Sequence, residues 1–235
     1  MRPKKINGEW QENFDPFLYE NGFNESNGAQ STWFVAHDLK GLASLMGGNE
    51  AAAQKLNEQF TAAEELGFAS GTSHKVELYP EYSRIPINYG NQPSMQTAYM
   101  FHTLNRPGIT QYKSRRVIDK VFSGVDPGTG YNGDEDQGLM GSLAVLTKLG
   151  LFQMNGGTKS NPKYQISPPI FNKINIDLHP KYYSGENLMI KSNISMTNEG
   201  ILKKVYFNGE HLEKMTLPHS SITTRGTLEY LFDNP

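Results

Sequence analysis

Four consecutive polar residues, Asp134-Glu135-Asp136-Gln137, stand between two glycines and begin a predicted helix. Carboxylates grouped in this way can act as a general base or bind a cation. The pattern also suits an ordinary helix start, because Asp134 followed three residues later by Gln137 resembles a capping box, and acidic residues favour the first turn. The cluster alone leaves both interpretations open.

A second segment, residues 20–38, is dense in carboxamide, carboxylate and aromatic side chains. Sugar sites use such mixtures, with a few placed polar groups and an aromatic lining. The residues of interest are Glu25, Asn27, Gln30 and Trp33. An irregular polar loop entering a helix would have a similar composition, so this segment is also ambiguous by itself.

A third segment, residues 88–93, carries Asn88, Asn91 and Gln92 just before Pro93. Amide carbonyl groups are hard oxygen donors that suit Ca²⁺. The alternative is a turn that leads into a helix with Pro93 in its first turn.

Composition and spacing exclude several other kinds of chemistry. The chain has no Cys, which rules out disulfides, thiolate metal sites and a cysteine nucleophile. Its formal charge of −2 argues against a nucleic-acid partner, and no apolar run is long enough to predict a membrane span. The segment Gly156-Gly157-Thr158-Lys159-Ser160 faintly resembles a phosphate-binding loop but lacks the Gly before Lys and a following helix.

The elements that must position these segments change character near residue 155. Before it, apolar residues recur at helical spacing and predict helices over residues 38–46, 50–66, 93–104 and 107–122, with another after Asp136. The leucines at positions 139, 143, 146 and 149 are the predicted core face of that last helix. The long loops 67–92 and 123–135 end on two of the polar segments, and long loops are often functional.

After Gly156-Gly157 the apolar period becomes two, which predicts strands. The strands cover residues 174–178, 188–194, 201–207 and 228–232, and Asn208-Gly209 is a strong hairpin signal. We therefore predict an α+β fold, with a helical region over residues 1–155 and an antiparallel, β-sandwich-like region over 156–235.

Together and in order, the three polar segments resemble one family, the family 92 glycoside hydrolases, which are calcium-dependent exo-α-mannosidases. The resemblance covers the chain from about Trp10 to Pro235 and is to the C-terminal part of the family. It rests on Asn24-Glu25-Ser26-Asn27, Trp33-Phe34-Val35-Ala36-His37-Asp38, Gly90-Asn91-Gln92-Pro93-Ser94 and Gly133-Asp134-Glu135-Asp136-Gln137-Gly138.

The resemblance implies an N-terminal β-sandwich followed by an (α/α)₆ barrel, both contributing to the site. This chain would hold the later barrel helices and the closing β region, as a fragment whose partner is the missing β-sandwich part. The implied substrate is an α-mannoside glycan, cleaved with inversion and with Ca²⁺ on the sugar hydroxyls. Members are often exported in bacteria, to the periplasm or cell surface, but the sequence leaves the compartment open.

Residue by residue, the resemblance gives Glu25 the role of general acid, Asp136 that of general base and Asp134 that of its partner carboxylate. Asn91 and Gln92 fall in the segment that lines the calcium site. An inverting enzyme separates its acid and base by about 6.5–9.5 Å, which leaves room for a water. We expect Glu25 to be buried, so that its raised pKa keeps the proton needed by the leaving oxygen.

Asn27, Gln30, Trp33 and Tyr89 are the expected substrate contacts. Tyr89 stands where many members have His, and the family's His-Glu pair associated with α-1,2 linkage is absent near Tyr82-Ser83. The linkage is therefore left open. The alternatives to a glycosidase are a non-catalytic carbohydrate-binding or interaction module, and an inactive truncated remnant.

Overall fold

The computed structural model describes residues 1–71, 75–133, 138–193 and 200–233. Its first part is helical. The helices are α1 Gly28–Thr32, α2 Leu39–Leu45, α3 Asn49–Glu65, α4 Lys75–Leu78, α5 Thr97–Thr103, α6 Pro107–Val121 and α7 Leu139–Leu149. Short 3₁₀ turns cover Gly67–Ala69, Pro80–Tyr82 and Gln92–Ser94. No helix in these ranges is both long enough and apolar enough to cross a membrane.

Helix α3 is the central element of the helical core. Its apolar residues Ala52, Leu56, Phe60 and Ala63 recur at spacings of four and three, which predicts one core face, and all four are fully buried. The helix begins at Asn49 rather than after it, with Gly48 at the N-cap. The buried face of α6 likewise contains Val117, Ile118 and Val121.

Helix α5 begins later than its sequence suggests. Pro93 lies in the 3₁₀ turn Gln92–Ser94, and α5 starts only at Thr97. The reason is local: the Asn91 side chain accepts the Gln92 N–H and begins that separate turn.

Helix α7 shows a rotated apolar face. Its buried residues are Met140, Leu143 and Thr147, so only Leu143 of the predicted leucine stripe is buried. Leu139 is 37% exposed. The leucine periodicity is strong enough to predict the helix, but the neighbouring elements cover an adjacent face that is centred on Met140.

The second part is built from strands, in two sheets. The strands are β1 Leu151–Phe152, β2 Lys163–Ile166, β3 Lys173–Asp177, β4 Asn187–Ser192, β5 Leu202–Phe207, β6 Glu210–His211, β7 Thr216–Pro218 and β8 Gly226–Phe232, with helix α8 His219–Ile222 between the last two. One sheet has the order β1-β2-β7, and the other has the order β3-β4-β8-β5-β6.

The strand pairing departs from the antiparallel prediction at one place. Strands β4 and β8 are parallel, with Ile190 opposite Leu228. This follows from the order along the chain, since β7 and α8 intervene and bring β8 back between β4 and β5. The hairpin prediction is confirmed: Asn208 and Gly209 both have positive φ and join the antiparallel β5 and β6.

The two regions pack directly on each other. The ring of Tyr99 on α5 stacks on Phe152 of β1, with centroids 4.5 Å apart. The Tyr99 hydroxyl lies 3.1 Å from the Ser167 hydroxyl. The mixed order of helices followed by strands is thus confirmed, while the (α/α)₆ barrel and the domain boundary stay predictions.

Candidate active site

The turn before α1 is fixed by two buried carboxamides. The Asn27 side chain caps α1 by accepting the Gln30 N–H at 2.9 Å, and its Nδ2 donates to the Ile85 carbonyl at 2.9 Å. Gln30 Nε2 donates to the same Ile85 carbonyl, also at 2.9 Å. Both residues are 1% exposed. Both amides hydrogen-bond to the protein's own backbone. In this chain they therefore stabilise the turn and are not available as sugar contacts.

Trp33, at the end of α1, is fully buried in the helical core. Its Nε1 donates to Gln59 Oε1 of α3 at 2.5 Å. A ring in this position has no free face for a sugar, so the expected stacking role is replaced by packing. Burying an indole requires such a partner for its N–H group, which explains Gln59, a buried polar residue that the sequence patterns do not single out.

Glu25 immediately precedes this anchored turn. Its backbone lies in the left-handed region with φ of 50°, and its side chain is exposed. A non-glycine residue with this conformation costs roughly 1–2 kcal/mol and persists only where its surroundings hold it. The expected burial of Glu25 is wrong for this chain, because none of the residues that the structure describes covers the side chain.

The second motif contacts the first through Asn91. Asn91 Nδ2 donates to the backbone carbonyl of Glu25 at 2.6 Å, while its Oδ1 accepts the Gln92 N–H at 2.9 Å. Asn91 is 6% exposed, so these bonds are shielded from water. The Gln92 side chain is half-buried and bonds to no residue in the described ranges, which leaves its carboxamide oxygen open.

Tyr89 lies in the aromatic core below this motif. Its ring centroid is 5.5 Å from that of Phe68 and 6.3 Å from that of Phe60, and its hydroxyl lies 3.2 Å from Thr97 Oγ1. Burial raises the pKa of the hydroxyl well above its usual range. Tyr89 therefore serves here as a neutral core residue and not as a substrate contact.

The third motif is tied to the second by Asn132. Its Nδ2 donates to the Tyr89 carbonyl at 2.8 Å, and its Oδ1 accepts the Gly71 N–H at 2.7 Å. Asn132 is 4% exposed, and the sequence patterns do not single it out. Its only signal is its place next to the glycine that opens the acidic motif.

Gly133 brings the chain against the second motif. It has φ of +71°, and its N–H donates to the Gly71 carbonyl. A Cβ built on Gly133 would lie 2.9 Å from the Gly90 carbonyl oxygen, closer than real Cβ contacts. The catalytic candidates Asp134 and Asp136 follow directly, but both lie outside the described residues, so their distance to Glu25 stays a prediction.

These bonds bring the three motifs into one place. Asn91 holds Glu25, and Asn132 holds Tyr89, two residues before Asn91. The acidic motif begins one residue after Asn132. Segments separated by about 65 and 40 residues along the chain are thus joined by buried side-chain amides. Within the described ranges no three His, Asp or Glu side chains form a metal-binding group.

The catalytic-domain model of glycosyl hydrolase family 92 matches residues 1–234. The chain therefore belongs to this family of glycosidases. An uncharacterized secreted glycosidase from Arthroderma benhamiae is 26% identical over 221 residues, which is 93% of this chain and 23% of that protein.

Two solved structures from Bacteroides thetaiotaomicron resemble the whole chain. A family GH92 inverting mannosidase matches with a TM-score of 0.78 and 27% identity, over 31% of its own chain. A family GH92 α-mannosidase in complex with mannoimidazole has the same TM-score with 23% identity, over 30% of its chain. The present chain thus spans about a quarter to a third of the length of these relatives.

Proposed function

We propose that the chain carries the general acid and general base of an inverting exo-α-mannosidase. The observation that supports this best is the hydrogen bond from Asn91 to the Glu25 carbonyl, because it joins the acid-bearing turn to the motif that adjoins the acidic cluster. Family membership supports the glycosidase class. The mannoside substrate and the inverting outcome are carried over from the resemblance.

In this mechanism Glu25 gives its proton to the glycosidic oxygen as the bond from that oxygen to the anomeric carbon breaks. Asp136 takes a proton from a water that attacks the anomeric carbon from the opposite face of the ring. Asp134 is the neighbouring carboxylate.

The exposed Glu25 bears on what else the site needs. A general acid holds its proton near neutral pH when it is shielded from water, and the described residues leave this side chain exposed. We propose that the N-terminal β-sandwich part of the enzyme covers Glu25 and completes the sugar site. The relatives are three to four times as long as this chain, which leaves room for such a part.

The described residues of this chain supply only part of the oxygen donors that the proposed Ca²⁺ needs. Asn91 spends both side-chain atoms on internal hydrogen bonds and is therefore a positioning residue. Gln92 retains an amide oxygen, a hard neutral donor that Ca²⁺ accepts. Ca²⁺ takes about six to eight oxygen ligands, so Gln92 would be one of several. When bound, the ion would hold sugar hydroxyls and favour ring distortion.

The test is release of mannose from α-mannosides by this chain, alone and supplemented with the N-terminal part of a family member. We expect release only with Ca²⁺, loss in EDTA, and loss in Glu25→Gln. The matched control is Glu20→Gln, since Glu20 is also exposed with a φ of 56° and lies five residues earlier. Equal loss in both variants, or calcium-independent release, would contradict the proposal.

A non-catalytic carbohydrate-binding module is the second candidate, and the exposed Glu25 favours it. It predicts that α-mannosides bind but are not cleaved, even with the N-terminal part supplied. Retained binding in Glu25→Gln without turnover in either protein would favour this module over the enzyme.

A further inference from the structure

A polar cleft lies between the segment that joins α1 to α2 and the connection between β1 and β2. Its volume is about 450 Å³. Lys40 lines one side, Lys159 lines the other, and Lys163 of β2 lies beside them. Lys159 belongs to the glycine-rich segment that faintly resembles a phosphate-binding loop. We call this site the lysine cleft, defined by Lys40, Lys159 and Lys163.

The three lysines outnumber the acidic residues that line the cleft. All three are exposed, and none forms an ion pair within the described part of the chain. Among the described residues that line the cleft, Asp38 is the one acidic residue, and its Oδ1 accepts the Gly41 N–H at 3.0 Å, so three positive charges face one negative charge. This lining leaves a local excess of positive charge, which a bound anion would offset. The chain as a whole has a charge of −2, so this local excess runs against its composition.

The walls of the lysine cleft are held together before any ligand arrives. Asn155 Nδ2 donates to the Ala36 carbonyl at 3.2 Å and bridges the two sides. Gln165 Oε1 accepts the Met154 N–H at 3.1 Å, which leaves its NH₂ group as a donor at the cleft. The Asn161 side chain also lines the cleft and bonds to no described residue. Ammonium groups and amide donors together match the oxygens of a phosphate, sulfate or carboxylate.

An aromatic face lies next to the lysine cleft. A second cavity of about 350 Å³ shares Ala36, His37, Met154 and Asn155 with it and is also lined by Phe34. Phe34 is 60% exposed, which is unusual for a large apolar residue that follows a fully buried tryptophan. An exposed aromatic ring beside polar groups is suited to the apolar face of a sugar.

We propose that the lysine cleft binds the phosphate, sulfate or carboxylate group of an acidic sugar whose ring packs on Phe34. The proposal of anion binding rests on the cleft alone. The proposal that a sugar carries the anionic group rests in addition on the proposed glycosidase function. Neither cavity is lined by Glu25, Asn91 or Gln92 of the candidate active site.

The test measures binding of inorganic phosphate, glucose 6-phosphate and neutral glucose to the full chain by NMR titration. We expect glucose 6-phosphate to bind more tightly than phosphate, and glucose to bind at least tenfold more weakly. Raising NaCl from 50 to 500 mM should weaken both anions, because screening acts on exposed charges. Equal affinity for glucose and glucose 6-phosphate would overturn the proposal.

Variants separate the two parts of the site. Lys159→Gln with Lys163→Gln should weaken both anions at least tenfold, while the control pair Lys173→Gln with Lys191→Gln, exposed on β3 and β4, should not. Phe34→Ala should weaken glucose 6-phosphate alone.

Equal loss in the two lysine pairs would overturn the cleft, and no effect of Phe34→Ala would overturn the acidic sugar. Mannoside hydrolysis is measured separately. If the glycosidase proposal fails, the anion-binding result can still be interpreted.

Discussion

The side-chain amide of Asn91 donates a 2.6 Å hydrogen bond to the backbone carbonyl of Glu25, across 66 residues of sequence. The same side chain begins the 3₁₀ turn that carries Gln92. One buried amide therefore sets the backbone of the proposed acid and the place of the proposed calcium donor.

Replacing Asn91 with Ala should release the Glu25 turn. We expect mannoside hydrolysis by the supplemented enzyme to fall by about 10²-fold, because misplacing a catalytic group by about 1 Å has effects of this size. Unfolding free energy should fall by only about 1 kcal/mol, as for a lost cap. As a positioning residue, Asn91 should affect kcat more than KM. The control Asn57→Ala, a half-buried position on α3 with no side-chain bond, should change neither.

Replacing Asn132 should lower the unfolding free energy more than replacing Asn91 does. Asn132→Ala leaves the Tyr89 carbonyl and the Gly71 N–H without their partner in a buried place, and we expect a loss of about 2 kcal/mol or more in urea unfolding. Asn132→Asp keeps the acceptor, and its carboxyl group can donate to the Tyr89 carbonyl only while it is protonated, so its loss should be smaller than that of Ala at acidic pH and should grow as the buried carboxyl ionises beside that carbonyl. An equal loss in the two variants would contradict the assigned bonds.

Gly133→Ala tests the contact between the second and third motifs. The new Cβ combines positive φ with a 2.9 Å approach to the Gly90 carbonyl. Gly156→Ala is the matched control, since Gly156 also has positive φ but no atom within 4 Å of the added Cβ. Gly156→Ala should cost about 1 kcal/mol from backbone strain alone. We predict a clearly larger loss of unfolding free energy for Gly133→Ala, and equal costs would show that the Gly90 contact is not formed.

The buried His102 should make the unfolding free energy of the chain depend on pH. Burial lowers its pKa from 6.5 to about 4, and a hydrogen bond with the Ile166 backbone opposes this only in part. Its Nε2 is buried and has no hydrogen-bond partner in the part of the chain that the structure describes. Because the unfolded chain takes up a proton near pH 6.5 and the folded chain only near pH 4, stability is lost as pH falls through this window.

The size of the His102 effect is up to about 3 kcal/mol, because a tenfold difference in proton affinity between the folded and unfolded chain corresponds to about 1.4 kcal/mol. Urea unfolding at pH 7.0 and 4.5 measures it, and His102→Gln should remove this part of the slope. The exposed His211 provides the control His211→Gln, which should leave the slope unchanged. Identical slopes in all three proteins would show that His102 protonates equally in both states.

Local patterns predicted the elements whose cause is local. The stripe of α3 and the Asn208-Gly209 hairpin are fixed by spacing and by backbone preference, and both match. The parallel β4–β8 pair depends on which distant strand fills the gap beside β4, which periodicity does not encode. The rotation of α7 has the same origin, because its covered face depends on its neighbours.

The sequence predicted which segments form the candidate site, but it did not predict what each side chain in them contacts. The polar residues Asn27 and Gln30 indicated a sugar site, yet their amides bind the Ile85 backbone. Composition does not distinguish an amide that faces a ligand from one that supports a turn. Asn132 carried no signal beyond its place in the motif, although its two bonds hold the motif in position.

The most direct test of the central claim compares two substrates with Glu25→Gln in the supplemented enzyme. A mannobiose needs its leaving oxygen protonated, whereas a 2,4-dinitrophenyl mannoside has a leaving group that departs without acid help. If Glu25 is the general acid, the variant should lose about 10²–10⁴-fold on mannobiose and far less on the aryl mannoside. An equal loss on both substrates, or none on mannobiose, would contradict the assignment of Glu25.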